Sequence, residues 1–125
     1  MFEYFDPNPK NNKAASDCPV KAFCGTTGKD WDTVYKDLTD IGFEQKAMPH
    51  SYPVIIEYYK RNGFSRFSKG TARTVADFMR ENPEGTFVLD LGWHVLPAKD
   101  GKYLDSNDCG NQPLEEVWRM NEVVS

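Results

Sequence analysis

Apolar residues recur at spacings of three and four along most of the chain, and the texture changes only after Glu84-Gly85. Trp31, Val34, Tyr35, Leu38 and Ile41 form one helical stripe behind Asp30, so a helix capped by Asp30 and stopped at Gly42 is predicted. An earlier helix is predicted from Cys18 and Pro19 through Val20, Phe23 and Cys24, with Ser16 or Asp17 as cap and Gly25 and Gly28 weakening its end. Ser51 and Pro53 open a third helix through Ile55, Ile56, Tyr58 and Tyr59, ended by Asn62-Gly63. Thr74, with Asp77 as a capping-box partner, opens a short fourth that stops before Pro83. Residues 86–91 and 93–98 then read as strands. Asp100-Gly101 is a two-residue hairpin turn leading to a return strand over 103–107, and the weakly alternating segment 114–123 is read as a closing strand at 116–120. Residues 1–16, with Pro7, Pro9 and a polar run, are read as an extended lead-in, and residues 64–73 as a loop. Helices followed by an antiparallel sheet predict an α+β fold, with N-terminal helices packed on a C-terminal sheet.

The chain has 125 residues and neither repeat nor linker, so residues 1–125 are read as a single domain. A hydrophobic fraction of 39% and an aromatic fraction of 14% favour a packed core over disorder. With 15 Lys and Arg against 19 Asp and Glu, and cations interleaved with carboxylates, no basic stripe exists and nucleic acid is not an expected partner. No stretch approaches the roughly 18–20 apolar residues needed to cross a bilayer, so no membrane partner is expected. No cationic, apolar leader opens the chain, and a cytoplasmic location is expected. In a reducing compartment Cys18, Cys24 and Cys109 are expected to be thiols, which shifts the question to reactivity.

The Asp100-Gly101 turn sets a register. Lys99 faces Lys102, Ala98 faces Tyr103, Leu96 faces Asp105 and His94 faces Asn107. His94, Leu96, Asp105 and Asn107 share one face, which puts Asp105 diagonal to His94 and Asn107 opposite, either able to hold the imidazole in one tautomer. Cys18 at a helix start is the matching nucleophile, because the positive end of the helix favours thiolate over thiol. An oxyanion formed on an attacked carbonyl would be met by the Cys18 N–H and by the side-chain amide of Asn12 or Asn11. Each residue also has a plainer reading: an inert thiol, a structural histidine, a solvated loop aspartate, an asparagine in a turn. Cys24 reads as helix packing and Cys109 as a loop thiol beside Gly110.

The stretches SDCPVKAFCGTTGKDWDTVYKDLTDIGF and TVADFMRENPEGTFVLDLGWHVLPAKDGKYLDSND resemble small papain-like cysteine-peptidase-fold proteins common in phage and bacterial sequences. The likeness spans roughly residues 8–108. It rests on Asp-Cys at a helix start, a Gly-x-x-Trp-x-x-Val-Tyr helix, a glycine-rich approach to His-Val, an Asp-Gly hairpin and an aspartate just after it. The resemblance implies a papain-like fold with Cys18 as nucleophile, His94 as base and Asp105 as orienter. It also implies a thioester intermediate, no cofactor, and a location in a bacterial or phage-infected host cell. Where the family usually holds a glutamine ahead of the cysteine, Asn12 stands here, and Trp93 precedes the histidine. Pro97 interrupts the histidine strand, which is therefore expected to be an edge or to be distorted there.

A metal site from Cys18, Cys24, Cys109, His50 and His94 fails on spacing, and GTTGKD lacks the strand and spacing of a phosphate loop. Two functions follow: a peptidase or amidase with a peptide or protein substrate, or a papain-fold binding module engaging a host protein or small molecule.

Overall fold

The structure, a computed structural model, describes residues 1–12 and 15–121; Lys13 and Ala14 of the expected lead-in and the last residues of the segment 114–123 lie outside them. The elements run β1 (Phe2–Tyr4), α1 (Cys18–Thr27), α2 (Trp31–Gln45), α3 (Tyr52–Arg61), β2 (Phe64–Phe67), α4 (Val75–Glu81), β3 (Thr86–Asp90), β4 (Val95–Lys99), β5 (Lys102–Asp105) and β6 (Glu116–Met120). The strands form a six-stranded sheet in the order β1-β5-β4-β3-β6-β2.

The fold is α+β, as expected, but the sheet is mixed and not purely C-terminal. β1 pairs parallel to β5, and β2 pairs antiparallel to β6. Both strands come from segments read as irregular. Three or four residues leave too short an alternation to register, and only pairing with β5 and β6, as the two edges of the sheet, makes them strands. Strand parity separates two cores. Val88 and Trp118 face α1, α2 and α3 with Val20, Phe23, Val34, Leu38, Val54 and Tyr59. Phe87, Leu89, Leu96, Ala98 and Val117 face α4 on the other side with Val75 and Phe78. At about 25 cal/mol per Å² of apolar surface removed from water, these two layers supply the main driving force for folding.

Capping follows the sequence in two places. The Asp30 carboxylate accepts from the Thr33 N–H at 2.8 Å, and Thr74 and Asp77 form a complete capping box. Gly42 is not the stop of α2. The helix continues to Gln45 and Lys46 takes the left-handed turn at φ 57°. The glycine is needed because the chain folds back over it: Ala47 N–H donates to Gly42 O at 2.8 Å, and a Cβ on residue 42 would stand 2.6 Å from the Ala47 carbonyl.

Two tight hairpins flank β4. Asp100 and Gly101 both have positive φ, 51° and 83°, and the observed pairs Lys99↔Lys102 and Ala98↔Tyr103 match the predicted register. The second turn was not anticipated. Gly92 (φ 90°) and Trp93 join β3 to β4, closed by Leu91 N–H donating to His94 O at 2.8 Å. β4 consequently begins at Val95, later than the expected residue 93, and His94 sits at the mouth of a hairpin. β5 likewise ends at Asp105, short of residue 107.

Pro97 lies in an interior strand, so of the two expectations the edge is corrected and the local distortion is what the strand shows. Lys99 and Lys102 close the turn, so the next hydrogen-bonded pair toward β5 would be 97 with 104, where proline has no N–H to give. The ladder to β5 stops at Ala98↔Tyr103, while the ladder to β3 continues through Val88↔Pro97 to Asp90↔Val95. The ring is instead used for packing. Gly25 of α1 lies against it so closely that a Cβ there would meet Pro97 Cγ at 2.4 Å. This contact brings α1 down onto β4, the strand that follows His94.

Candidate active site

Cys18 is the first residue of α1, with Pro19 behind it, so its own N–H is among the helix-start donors without an intrahelical acceptor. Asp17 occupies the cap position but its side chain caps nothing. It instead ties the helix start to two other parts of the chain and to the next turn of its own helix. Its Oδ2 accepts from Trp31 Nε1 at 2.7 Å and from Asn8 Nδ2 at 3.0 Å, and Lys21 Nζ lies 3.6 Å from Oδ1. Lys21 also reaches Asp6 at 3.3 Å. Asn8 is buried, and its Oδ1 accepts the Lys10 N–H at 2.9 Å in an Asx turn. The expected lead-in is therefore a strand followed by a folded clamp on the residue before the cysteine. Asp6-Pro7-Asn8-Pro9 carried that turn signal.

His94 and Asp105 meet directly. His94 Nε2 lies 2.6 Å from Asp105 Oδ2, and Asp105 is 8% exposed, so the bland reading of a solvated loop aspartate is corrected. Burial pushes the Asp105 carboxyl up, but the His94 hydrogen bond and charge, joined by the Ser106 N–H and the Cys109 thiol, together hold it below the usual carboxylate range. An ionised carboxylate can only accept, so Nε2–H is the donor and Nδ1 is the ring nitrogen left for another partner. Cys18 lies near the ring, bordering the same cleft and the same small void. The imidazole is raised from 6.5 to about 9, first by its hydrogen bond to Asp105 and then by the neighbouring Cys18 thiol. Cys18, His94 and Asp105 also surround one void of about 10 Å³, space for one water at most, so the trio is closed from behind.

In front it opens. A cleft of about 380 Å³ is bordered by Cys18, His94 and Trp93, with Tyr52, Ile55 and Tyr59 of α3 across from them. Trp93, 67% exposed, stacks on the imidazole with ring centres 5.1 Å apart and planes 22° apart, filling the space beside it. Ser16 borders the same cleft in the left-handed region at φ 53°.

The other two thiols are built differently. Cys24 is buried in the α1–α3 core, and burial, then the Asp30 and Asp17 charges, push its thiol up to about 12. Cys109 is buried against α4 with its Sγ 3.7 Å from Asp105 Oδ2, and burial followed by that charge pushes it up to about 12 as well. Cys109 lies in the segment between β5 and β6, as expected of a loop thiol, but is buried in the core.

Two of the expected site residues stand apart. Asn12 is exposed and borders a second cavity, of about 410 Å³, that also touches Trp31, Tyr35 and His50 and not His94. Asn107 is exposed in the bend after β5 and carries no side-chain hydrogen bond among those described. The reason is the shortened ladder: with β4 and β5 unpaired beyond Ala98↔Tyr103, a register extended to His94 and Asn107 no longer applies. Among the described residues no group of three ligating side chains could hold a metal, and no helix is long and apolar enough to cross a membrane.

These features define an α+β protein with a cysteine–histidine–aspartate cluster at the junction of a helix start and a hairpin. Comparison of the chain with protein-family models, curated proteins and solved structures finds no match.

Proposed function

We propose that the protein is a papain-like cysteine hydrolase acting on peptide or other amide bonds. The observation that carries this reading is the His94–Asp105 pair with the Cys18 thiol beside it at the edge of one cleft. Asp105 fixes the tautomer and keeps the ring cationic, and a cation beside the thiol at a helix N-terminus favours thiolate. The thiolate attacks the carbonyl carbon, the oxyanion meets the Cys18 N–H, and His94 gives its proton to the departing amine. A thioester remains on Cys18. Water, deprotonated by His94, then attacks it, releasing the acid and the thiol. Asn12 is not assigned to the oxyanion, given its place in the neighbouring cavity.

A pulse of p-nitrophenyl acetate tests this. Intact-mass and peptide mass spectrometry are expected to find a transient acetyl group on Cys18, with a burst of p-nitrophenol, and neither in Cys18→Ser. Stable acetylation spread over lysines, with Cys18 unmodified, would contradict it.

A further inference from the structure

The cleft beside Cys18 is unevenly lined. Val88 and Asp90 are alternate residues of β3 and face the α1–α3 side, so both enter the cleft, where Ile55, Tyr59 and Phe23 supply the apolar remainder. Asp90 is the only carboxylate on this wall among the described residues. It accepts one hydrogen bond, from Gly92 N–H at 2.7 Å. The charged groups around it come from three elements. Glu116 lies directly across in β6, held by Trp118 Nε1 at 2.6 Å and Arg66 at 3.5 Å. Glu115 lies beneath Gly92, and His94 follows on the hairpin already bonded to Asp105. The nearby cation, Arg66, is therefore directed to Glu116. Burial pushes the Asp90 carboxyl up, the Gly92 N–H opposes this, and the Glu116 and Glu115 charges add to it.

Such a carboxylate, half-buried at the end of an apolar wall and flanked by like charges, is stabilised by a cation that brings its own methylene stem. We propose that Asp90 is a specificity-determining residue of the cleft, receiving a lysine- or arginine-type side chain of the substrate whose stem lies along Val88, Ile55 and Tyr59. The inference rests on the hydrolase reading. Discrimination would be strong because an uncharged isostere leaves the carboxylate facing two glutamates.

Peptidyl chloromethyl ketones test it, since the Cys18 thiolate displaces chloride and forms a C–S bond in one irreversible step. Two matched pairs carry lysine or norleucine at the first or the second residue before the reactive ketone. At one of these positions the lysyl probe is expected to alkylate Cys18 about tenfold faster than the norleucyl probe. Asp90→Asn is expected to bring that ratio near one, and Asp90→Lys to favour a glutamyl probe. Because each ratio compares two probes on one protein, changes in thiol reactivity or folded fraction cancel. A ratio near one at both positions in the unaltered protein, or a preference that survives Asp90→Asn, overturns the role of Asp90. If iodoacetamide still labels Cys18 rapidly in that case, the hydrolase reading stands; if iodoacetamide and every probe leave Cys18 unlabelled, both fall.

Discussion

Cys18 and Cys109 lie on either side of one ion pair. Asp105 Oδ2 bonds the His94 ring and also faces the Cys109 thiol, while Cys18 borders the same cleft and the same small void as the ring. The two sulfurs differ by which member of the pair they touch. Cys18 faces the cation, at a helix start, with access to a cleft; Cys109 faces the carboxylate, inside the α4 core. The lesson is that a histidine–aspartate pair has a reactive side and an inert side. The packing of α1 against Pro97 decides which thiol receives which.

The largest expected effect is the contrast itself. With Cys24 and Cys109 pushed up to about 12 by burial, Cys18 is expected to react with limiting iodoacetamide at least about a hundredfold faster at neutral pH. Peptide mapping at successive times reads the three rates. Asp105→Asn should come next: the neutral amide no longer fixes the imidazolium, and hydrolysis of any turned-over ester is expected to fall by about 10²–10⁴. The same change relieves Cys109 of its neighbouring charge, so its slow labelling should speed up while that of Cys18 falls. Opposite movement of the two thiols in one variant would be hard to obtain from a general loss of structure.

A smaller effect probes the placement of α1. Gly25→Ala puts a Cβ into the Pro97 ring, with an expected cost of about 1–3 kcal/mol in denaturant unfolding and slower Cys18 labelling, leaving Cys109 unchanged. The smallest concerns pH. His94 is raised above its ordinary 6.5, so its contribution to stability is complete below 6.5 and is lost as pH rises through about 9. Asp105 is held below its usual range, so its contribution is present above that range and is lost on acidification. Chemical denaturation in steps from pH 6 to pH 10 is expected to show the alkaline decline in the unaltered protein and a flatter curve in His94→Ala.

Much of this site could be read from the residues. The Asp100-Gly101 turn dictates its own geometry locally, and the helix start at Cys18-Pro19 and the capping box at Thr74 and Asp77 follow from short-range chemistry, although the expected side-chain cap by Asp17 is not formed. What escaped the sequence depends on distant partners. β1 and β2 are strands only because β5 and β6 offer them edges. Gly92-Trp93 carried a hairpin signal, glycine first in a two-residue turn, that the apolar run around it concealed. Asn107 was placed beside His94 by extending a correct register past Pro97, where the missing N–H ends the ladder. Cys109 looked like a loop thiol because nothing nearby in sequence announces that its loop folds into the α4 core. Asp90 likewise became visible as a cleft residue only once β3 lay against α1 and α3.

The central claim is that His94 activates Cys18, and the pH dependence of iodoacetamide labelling tests it most directly, followed by mass spectrometry in the unaltered protein and in His94→Ala. Rapid Cys18 labelling that persists below neutral pH, and that in His94→Ala falls to the alkaline-only reactivity of an ordinary thiol, is the result the account predicts. Cys18 labelling that is as slow as that of Cys24 and Cys109, or that is unchanged by His94→Ala at every pH, would contradict it.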